Sequence, residues 1–374
     1  MSILSLLRED LRDFGGYRSA RSDECEGSIW LNANESPQPG TAEGTQGLRR
    51  YPDPQPPGLR SALARLYGCR DDQLLAGRGS DEAIDLLLRA LCPPGAGCAV
   101  ITTPTFGMYA VCARLHGTRL VDVPLVDGPG GHACDFDTVA AVAQREQARL
   151  VFLCSPGNPG GNLLPLPAIA ALAQRLRGTG VVVVDEAYIE FAQSDSAVAL
   201  LDAHHNIAVL RTLSKAHALA GARIGCVVAD AMLIAALRRC QAPYPLPQPC
   251  VEMALAALES SARAATRERV ERAVEERDRL QAAFTALTGI RRVYRSRANF
   301  LLVRFEQAQD AYERLLAAGI VVRDMRSVPG LGDALRISIG TPDQNDAVLA
   351  ALGASAGLAR VAPPQADPRD RVLA

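Results

Sequence analysis

Short apolar, β-branched runs that alternate with helical segments constrain this 374-residue chain more than any other feature. Residues 99–103, 119–124, 150–154, 181–185, 208–212 and 224–229 read as strands. The run Val181, Val182, Val183, Val184 has no polar alternation, so both of its faces must be covered. Spacers such as residues 167–176 leave room for crossover helices. Upstream, residues 59–67 have a helical pattern. The stretch LLAGRGSDEAIDLLLRAL then gives a strand-like run, a turn at Gly77 and Gly79, and a helix opening near Ser80, Asp81 and Glu82. The expected architecture is α/β: a mostly parallel seven-stranded sheet flanked by helices over residues 59–250, with its chemistry at the C-terminal strand ends.

Residues 1–58 read as an arm with one short helix, followed by WLNANESP (residues 30–37) and the proline-rich RYPDPQPPG (residues 50–58). Such a segment either wraps a surface or a partner subunit, or serves as a loose linker. Beyond residue 250 a long charged helix over residues 251–288 is expected, its Arg and Glu residues forming a solvated face. Strand-like segments at 299–305, 320–323 and 335–339 complete a smaller α+β domain over residues 251–353. Residues 354–374 read as a flexible tail.

A net charge of -1 argues against a partner such as nucleic acid, whose phosphates favour a basic surplus. Arg8, Glu9 and Asp10 interrupt the first apolar run, so it fails as a secretory signal, and no apolar run is long enough for a membrane span. The 10 cysteines form no CxxC pair, and several sit inside apolar runs, as Cys154 and Cys226 do. Buried free thiols in a reducing cytoplasm explain them better than disulfides or a zinc site. No metal constellation is evident, and the adjacent His204 and His205 cannot share a helical face.

The chain holds 40 Lys and Arg residues, and Lys215 is its single lysine. A guanidinium stays protonated, whereas a desolvated amine can lose its proton and condense with a carbonyl. The candidate strands also end in polar groups that match, one for one, the needs of pyridoxal 5'-phosphate: a phosphate, a pyridine nitrogen, a phenolic oxygen, a ring face and an aldehyde. The turn leading into Ser80 and Asp81 offers backbone N–H groups to a phosphate and serves equally as a plain helix cap. Ser214 and Arg223 add a hydroxyl and a guanidinium. Asp185, after four valines, suits a protonated pyridine nitrogen or an ion pair with an arginine. Tyr188 and Asn158 can reach the phenolic oxygen, although Asn-Pro is also a turn signal. Tyr109 can stack on the ring or pack in the core. Glu186 reads as structural.

In this order the motifs resemble the fold-type I pyridoxal-phosphate-dependent aminotransferases, over residues 30–341. The closer likeness is to the histidinol-phosphate aminotransferase family, carried by LNANESP, RYPDPQ, GRGSDEAI, TPTFGMY, TLSKAHALAGARIG and LRISIGT. The resemblance implies a cytoplasmic homodimer in which Tyr51 reaches the cofactor phosphate of the neighbouring subunit. It implies that Arg336 holds the substrate carboxylate or phosphate, helped by Arg323, Tyr17 and Asn34. An arginine fork suits either anion, while a structural salt bridge accounts for Arg323 as well. The implied reaction transfers the amino group of L-histidinol phosphate to 2-oxoglutarate, with Lys215 as covalent anchor and proton carrier. An aromatic amino-acid aminotransferase, a phosphothreonine decarboxylase and a cofactor-binding regulator are the rival readings. Two departures stand out. Gly157-Asn158-Pro159-Gly160-Gly161 replaces a usual Asn-Asn-Pro-Thr-Gly, from which a more flexible loop is expected, and His217 replaces a commonly aromatic residue.

Overall fold

The computed structural model describes residues 3–17, 29–41 and 47–353. The expected tail at 354–374 lies outside the described residues. At the N-terminus the anticipated short helix is two 3-10 turns, Ile3–Leu6 and Glu9–Leu11, and Leu6 and Leu7 are buried against the body.

Helix α1 (Pro57–Tyr67) begins with proline at its first position, which sacrifices no helical N–H, and closes on Gly68 at φ 70. Strand β1 (Leu74–Gly77) leads into α2 (Ser80–Leu91), then β2 (Cys98–Ile101), α3 (Met108–His116) and β3 (Arg119–Asp122). A hairpin absent from the sequence reading, β4 (Val126–Gly128) and β5 (Gly131–Ala133), follows, then α4 (Phe136–Arg145) and β6 (Leu150–Cys154). Next come α5 (Leu166–Arg175), β7 (Val181–Asp185), β8 (Ile207–Thr212), β9 (Gly225–Ala229) and α6 (Ala231–Cys240).

The large sheet has seven strands in the order β1-β9-β8-β7-β6-β2-β3. Pairs β8/β7, β7/β6, β6/β2 and β2/β3 are parallel, and β9 runs against both of its neighbours. Every residue of β6, β7, β8 and β9 is buried. In β7, Val182 and Val184 enter the hydrophobic core on one face, and Val181 and Val183 enter the core on the other. Burying one such side chain stabilises by about 1.5–3 kcal/mol, which explains the unbroken valine run.

The helix expected over residues 251–288 is two helices, α7 (Gln248–Ala257) and α8 (Ser260–Ala286). Glu259, extended at ψ 155, separates them, and Leu258 is drawn into the large-sheet core. Most of α8 is solvated as anticipated, but Arg277 is buried and donates to the carbonyls of Phe191 and Ala298 at 3.1 and 3.3 Å. The remaining elements are β10 (Ile290–Val293), β11 (Phe300–Phe305), α9 (Ala308–Ala317), β12 (Arg323–Asp324), β13 (Ala334–Ser338) and α10 (Pro342–Gly353). Their four strands form an antiparallel sheet in the order β10-β11-β13-β12. The strand expected at 320–323 is therefore shorter and later, confined to β12. Among the described residues no helix is long and apolar enough to cross a membrane.

Candidate active site

The C-terminal ends of β6, β7 and β8 and the N-terminus of α2 converge on a cleft of about 140 Å³. It brings together Ser80, Asp81, Asn158, Asp185, Tyr188, Ser214, Lys215 and Arg223, residues spread over more than a hundred positions of sequence.

One wall is the turn into α2. Gly79 adopts φ 83, open to glycine at little cost, and a Cβ there would run into the Arg223 guanidinium. Gly225 lies so close that a Cβ would strike the backbone nitrogen of Ser80. The α2 terminus is thereby pressed against β9, with its first N–H groups and its dipole facing the cleft. Arg223, itself left-handed at φ 56, donates to Asp81 Oδ2 at 3.2 Å and to the Ala220 carbonyl at 3.2 Å. The Asp81 carboxylate would repel an anion, so only its backbone can serve a phosphate.

The floor is Asp185, buried at the end of β7. Its Oδ2 accepts from the Tyr109 hydroxyl at 2.8 Å and its Oδ1 from the Ala187 N–H at 3.2 Å. No cationic side chain bridges it among the described residues. Burial pushes its carboxyl up to about 6, against the pull of the Tyr109 hydrogen bond. A carboxylate so placed calls for a cation supplied from the cleft.

Tyr109 does not supply the ring face. It lies inside α3, is 0% exposed, and stacks on Phe152 with centroids 4.9 Å apart. Its position one residue into the helix turns the ring toward the core and the hydroxyl onto Asp185. Phe106, three residues earlier in the loop, lines the cleft instead and meets Tyr109 edge-on at 5.7 Å. Thr212 was also overlooked: its hydroxyl donates to Ser214 Oγ at 2.9 Å and accepts from the Ser214 N–H at 3.1 Å, fixing the turn that carries Lys215.

Lys215 points into the opening, its Nζ 5.7 Å from the centroid of the Tyr188 ring. Its side chain remains open to water, yet its ammonium is pushed below the ordinary lysine range. Desolvation by the cleft walls is the larger cause, and the Arg336 and Arg223 guanidinium groups add to it.

Across the cleft, Asn158 donates from Nδ2 to the Tyr188 hydroxyl at 3.3 Å and accepts from Arg336 Nη1 through Oδ1. Arg336 therefore ties the small sheet to the large one. Its guanidinium also covers the Phe300 ring at 5.1 Å and has no carboxylate partner among the described residues. Arg323 is its Cα partner across β12 and β13 and is exposed.

The glycines around Asn158 serve close packing. Gly157 accepts the N–H of Gly161 at 2.6 Å, and Gly161 accepts the N–H of Arg297 at 2.7 Å. A Cβ on Gly157, Gly160 or Gly161 would run into Asn162, His132 or Ser296 respectively. The flexible loop expected from these residues is instead a buried one, gripped by both sheets. His217 is buried as well, with no hydrogen-bond partner for its Nδ1, and burial lowers its imidazolium.

Three expected residues lie elsewhere in the chain. Tyr17 lines a separate recess of about 340 Å³ with Arg239 and Pro243. Asn34 is exposed at φ 56. Tyr51 is half exposed and stacks on Tyr244 with centroids 4.4 Å apart, in a recess it shares with Trp30 and Gln248.

Residues 23–352 match the family described as aminotransferase class I and II. Histidinol-phosphate aminotransferase of Stenotrophomonas maltophilia (strain R551-3) is 58% identical over 352 residues, 94% of this chain and 97% of that protein. The enzyme of the same name from Xanthomonas campestris pv. campestris (strain 8004) is 59% identical over 351 residues, again 94% and 97%. Among solved structures, histidinol-phosphate aminotransferase from Sinorhizobium meliloti, in complex with pyridoxal-5'-phosphate, matches with a TM-score of 0.74 and 30% identity, covering 82% of each chain.

Proposed function

We propose, for a chain that belongs to the class I and II aminotransferases and within them to the histidinol-phosphate aminotransferase family, how its residues carry out that family's reaction. The enzyme moves the amino group of L-histidinol phosphate to 2-oxoglutarate, giving imidazole-acetol phosphate and L-glutamate, with pyridoxal 5'-phosphate as cofactor. The observation that carries the residue assignment is the cleft itself: a lone lysine and a buried carboxylate without a cationic partner among the described residues line one cavity whose far wall is a helix N-terminus.

The donor set fits the cofactor. Ser80, the backbone of Asp81, Ser214 and Arg223 would hold its phosphate, Asp185 its pyridine nitrogen, Asn158 and Tyr188 its phenolic oxygen, and Lys215 its aldehyde carbon. Phe106, rather than Tyr109, would cover the ring. When bound, the cofactor supplies an electron sink for the bond broken at the substrate carbon. Asp185 holds a proton at the pyridine nitrogen, and Tyr109 orients that carboxylate. Lys215 Nζ, its ammonium pushed below the ordinary lysine range by desolvation and neighbouring guanidinium groups, would take the proton from the substrate carbon that bears the amine and return it to the cofactor's aldehyde carbon, on the far side of the nitrogen. Arg336, with Arg323 beside it, orients the donor through its anionic group.

A cytoplasmic homodimer completes the reading. Tyr51, Tyr17 and Asn34 stand away from the cleft of their own chain, where a neighbouring subunit could use them. Residues 59–250 would then be the cofactor domain, 251–353 the small domain, and 1–58 the arm that crosses between subunits. A strictly monomeric protein that turns over at full rate would refute the shared site.

The test is a comparison of donors. Purified enzyme is mixed separately with L-histidinol phosphate, L-phenylalanine and phosphothreonine, and conversion of the cofactor to its aminated form is followed by absorbance. Fastest conversion by L-histidinol phosphate is expected, and a wide preference for L-phenylalanine would overturn the assignment. Lys215→Ala should abolish transfer.

A further inference from the structure

Behind the cleft, on the sheet face opposite Tyr109, lies a buried ionic cluster that the reaction does not call on. Successive residues at a strand end point to opposite faces. Asp185 accordingly faces the cleft, and Glu186 turns to the rear, where it is 2% exposed. There Glu186 accepts from Ser196 Oγ at 2.5 Å and from the Ala197 N–H at 2.6 Å. On β8, Arg211 also turns rearward. Its Nη1 lies 3.4 Å from Glu186 Oε2 and 3.3 Å from Ser196 Oγ, and its Nη2 donates to Glu190 at 2.8 Å. The guanidinium covers the Tyr67 ring at 4.2 Å.

The place of this cluster matters because the backbone ladder stops there. The last Cα pair between β7 and β8 is Asp185 with Leu210, and the Glu186 N–H donates to the Leu210 carbonyl at 3.0 Å. Beyond that point Arg211 and Thr212 pair only with Cys226 and Gly225 of β9. On the β7 side, among the described residues, the chain approaching Lys215 is held by side chains alone. Arg211 is four residues from Lys215, and Glu186 adjoins Asp185.

Burying an ion pair is a poor way to gain stability, since apolar side chains of similar volume often do as well. Its particular property is a fixed geometry, because a guanidinium fork accepts partners in few orientations. We propose that Glu186, Ser196 and Arg211 are positioning residues, an ionic staple that carries the β7–β8 pairing past the end of its backbone ladder and sets the separation between Asp185 and Lys215. The inference rests on the proposed roles of those two residues in aminotransfer.

The experiment compares Glu186→Gln, Arg211→Lys and the milder Ser196→Ala with wild type. Each is assayed for kcat and KM with L-histidinol phosphate, for thermal midpoint, and, as cofactor-free protein, for amide hydrogen exchange. Glu186→Gln and Arg211→Lys should lower kcat about tenfold or more while KM changes less than about threefold, the pattern of a lost transition-state interaction. Exchange should rise locally, over residues 211–219, and Ser196→Ala should show the same changes in smaller measure. Full kcat in a folded Glu186→Gln protein would overturn the staple. So would faster exchange spread evenly over the sheet, which marks general destabilisation. Should Glu186→Gln fail to fold, full kcat and unchanged exchange in Ser196→Ala would overturn it equally. If wild type proved inert toward every donor, the functional reading would fail, while exchange in the cofactor-free variants would still decide whether the staple holds the turn.

Discussion

Arg323 and Arg336 stand directly opposite each other on antiparallel strands, Cα partner to Cα partner. Like charges in that relation destabilise a sheet, and an anion held between them would offset the repulsion. Burial, together with the repulsion of Arg323, also holds the Arg336 guanidinium below its ordinary range. A charge-assisted hydrogen bond contributes about 1.5–3 kcal/mol. Arg336→Met should therefore raise KM for L-histidinol phosphate roughly ten- to a hundredfold, and Arg323→Met by less. Steady-state kinetics at fixed 2-oxoglutarate checks both, and an unchanged KM in Arg336→Met would contradict the role.

Tyr109→Phe keeps the core packing against Phe152 and removes only the donor to Asp185. Cofactor affinity should fall about ten- to a hundredfold, corresponding to the loss of one hydrogen bond to a buried charged group. Phe106→Ala should weaken cofactor binding through lost ring contact while leaving Asp185 untouched. Equilibrium titration of cofactor-free protein measures both. Normal affinity in Phe106→Ala would take the ring face away from Phe106.

The Asp185 carboxyl titrates at about 6 in the fold against an ordinary 3.8. The native cofactor-free protein thus binds a proton that the unfolded chain has released. The associated stability is complete below about pH 4 and is lost as pH rises through about 6. Above that range the ionised group costs roughly 2–3 kcal/mol. Asp185→Asn should therefore stabilise cofactor-free protein at pH 8 and change little at pH 4.5, while impairing transfer. Denaturant unfolding at the two pH values tests this, and an equal effect at both would refute it.

Gly225→Ala forces a methyl group against the backbone of Gly79 and Ser80, where no flexible side chain can give way. The strain should cost about 1–3 kcal/mol and shift the α2 terminus away from β9. A lower thermal midpoint together with weaker inorganic phosphate binding by the cofactor-free protein is the expected result. Unchanged phosphate binding would show that the α2 terminus is not part of an anion cradle.

Much of this arrangement was legible in the sequence because buried strands with a polar last residue are rare and costly. Asp185 after four valines and Lys215 after a strand and serine announce themselves without any contact being known. The two neighbouring aromatics were not separable in that way. Phe106 and Tyr109 differ only in lying just before or just inside the start of α3, and a helix boundary is uncertain by one or two residues. The break between α7 and α8 carries no proline or glycine, since it comes from Leu258 being drawn into another core. The β4–β5 hairpin is three residues on each side, too short for alternation to register. Glu186 was legible only as a charge beside a more obvious one, since its partner Arg211 lies on another strand.

The bond from Arg336 to the Asn158 carbonyl has a thermodynamic meaning for recognition. An arriving carboxylate or phosphate does not encounter a bare cation; to take both arms of the fork it must displace the amide oxygen that Nη1 already holds. Affinity is then an exchange, the difference between two partners competing for one guanidinium. Because Gly161 is wedged against Ser296, the loop that carries Asn158 cannot follow the guanidinium once it turns away. The displaced amide stays with the Tyr188 hydroxyl, and the newcomer that replaces it must be a full negative charge. A neutral analogue of the donor would find one arm of the fork already taken.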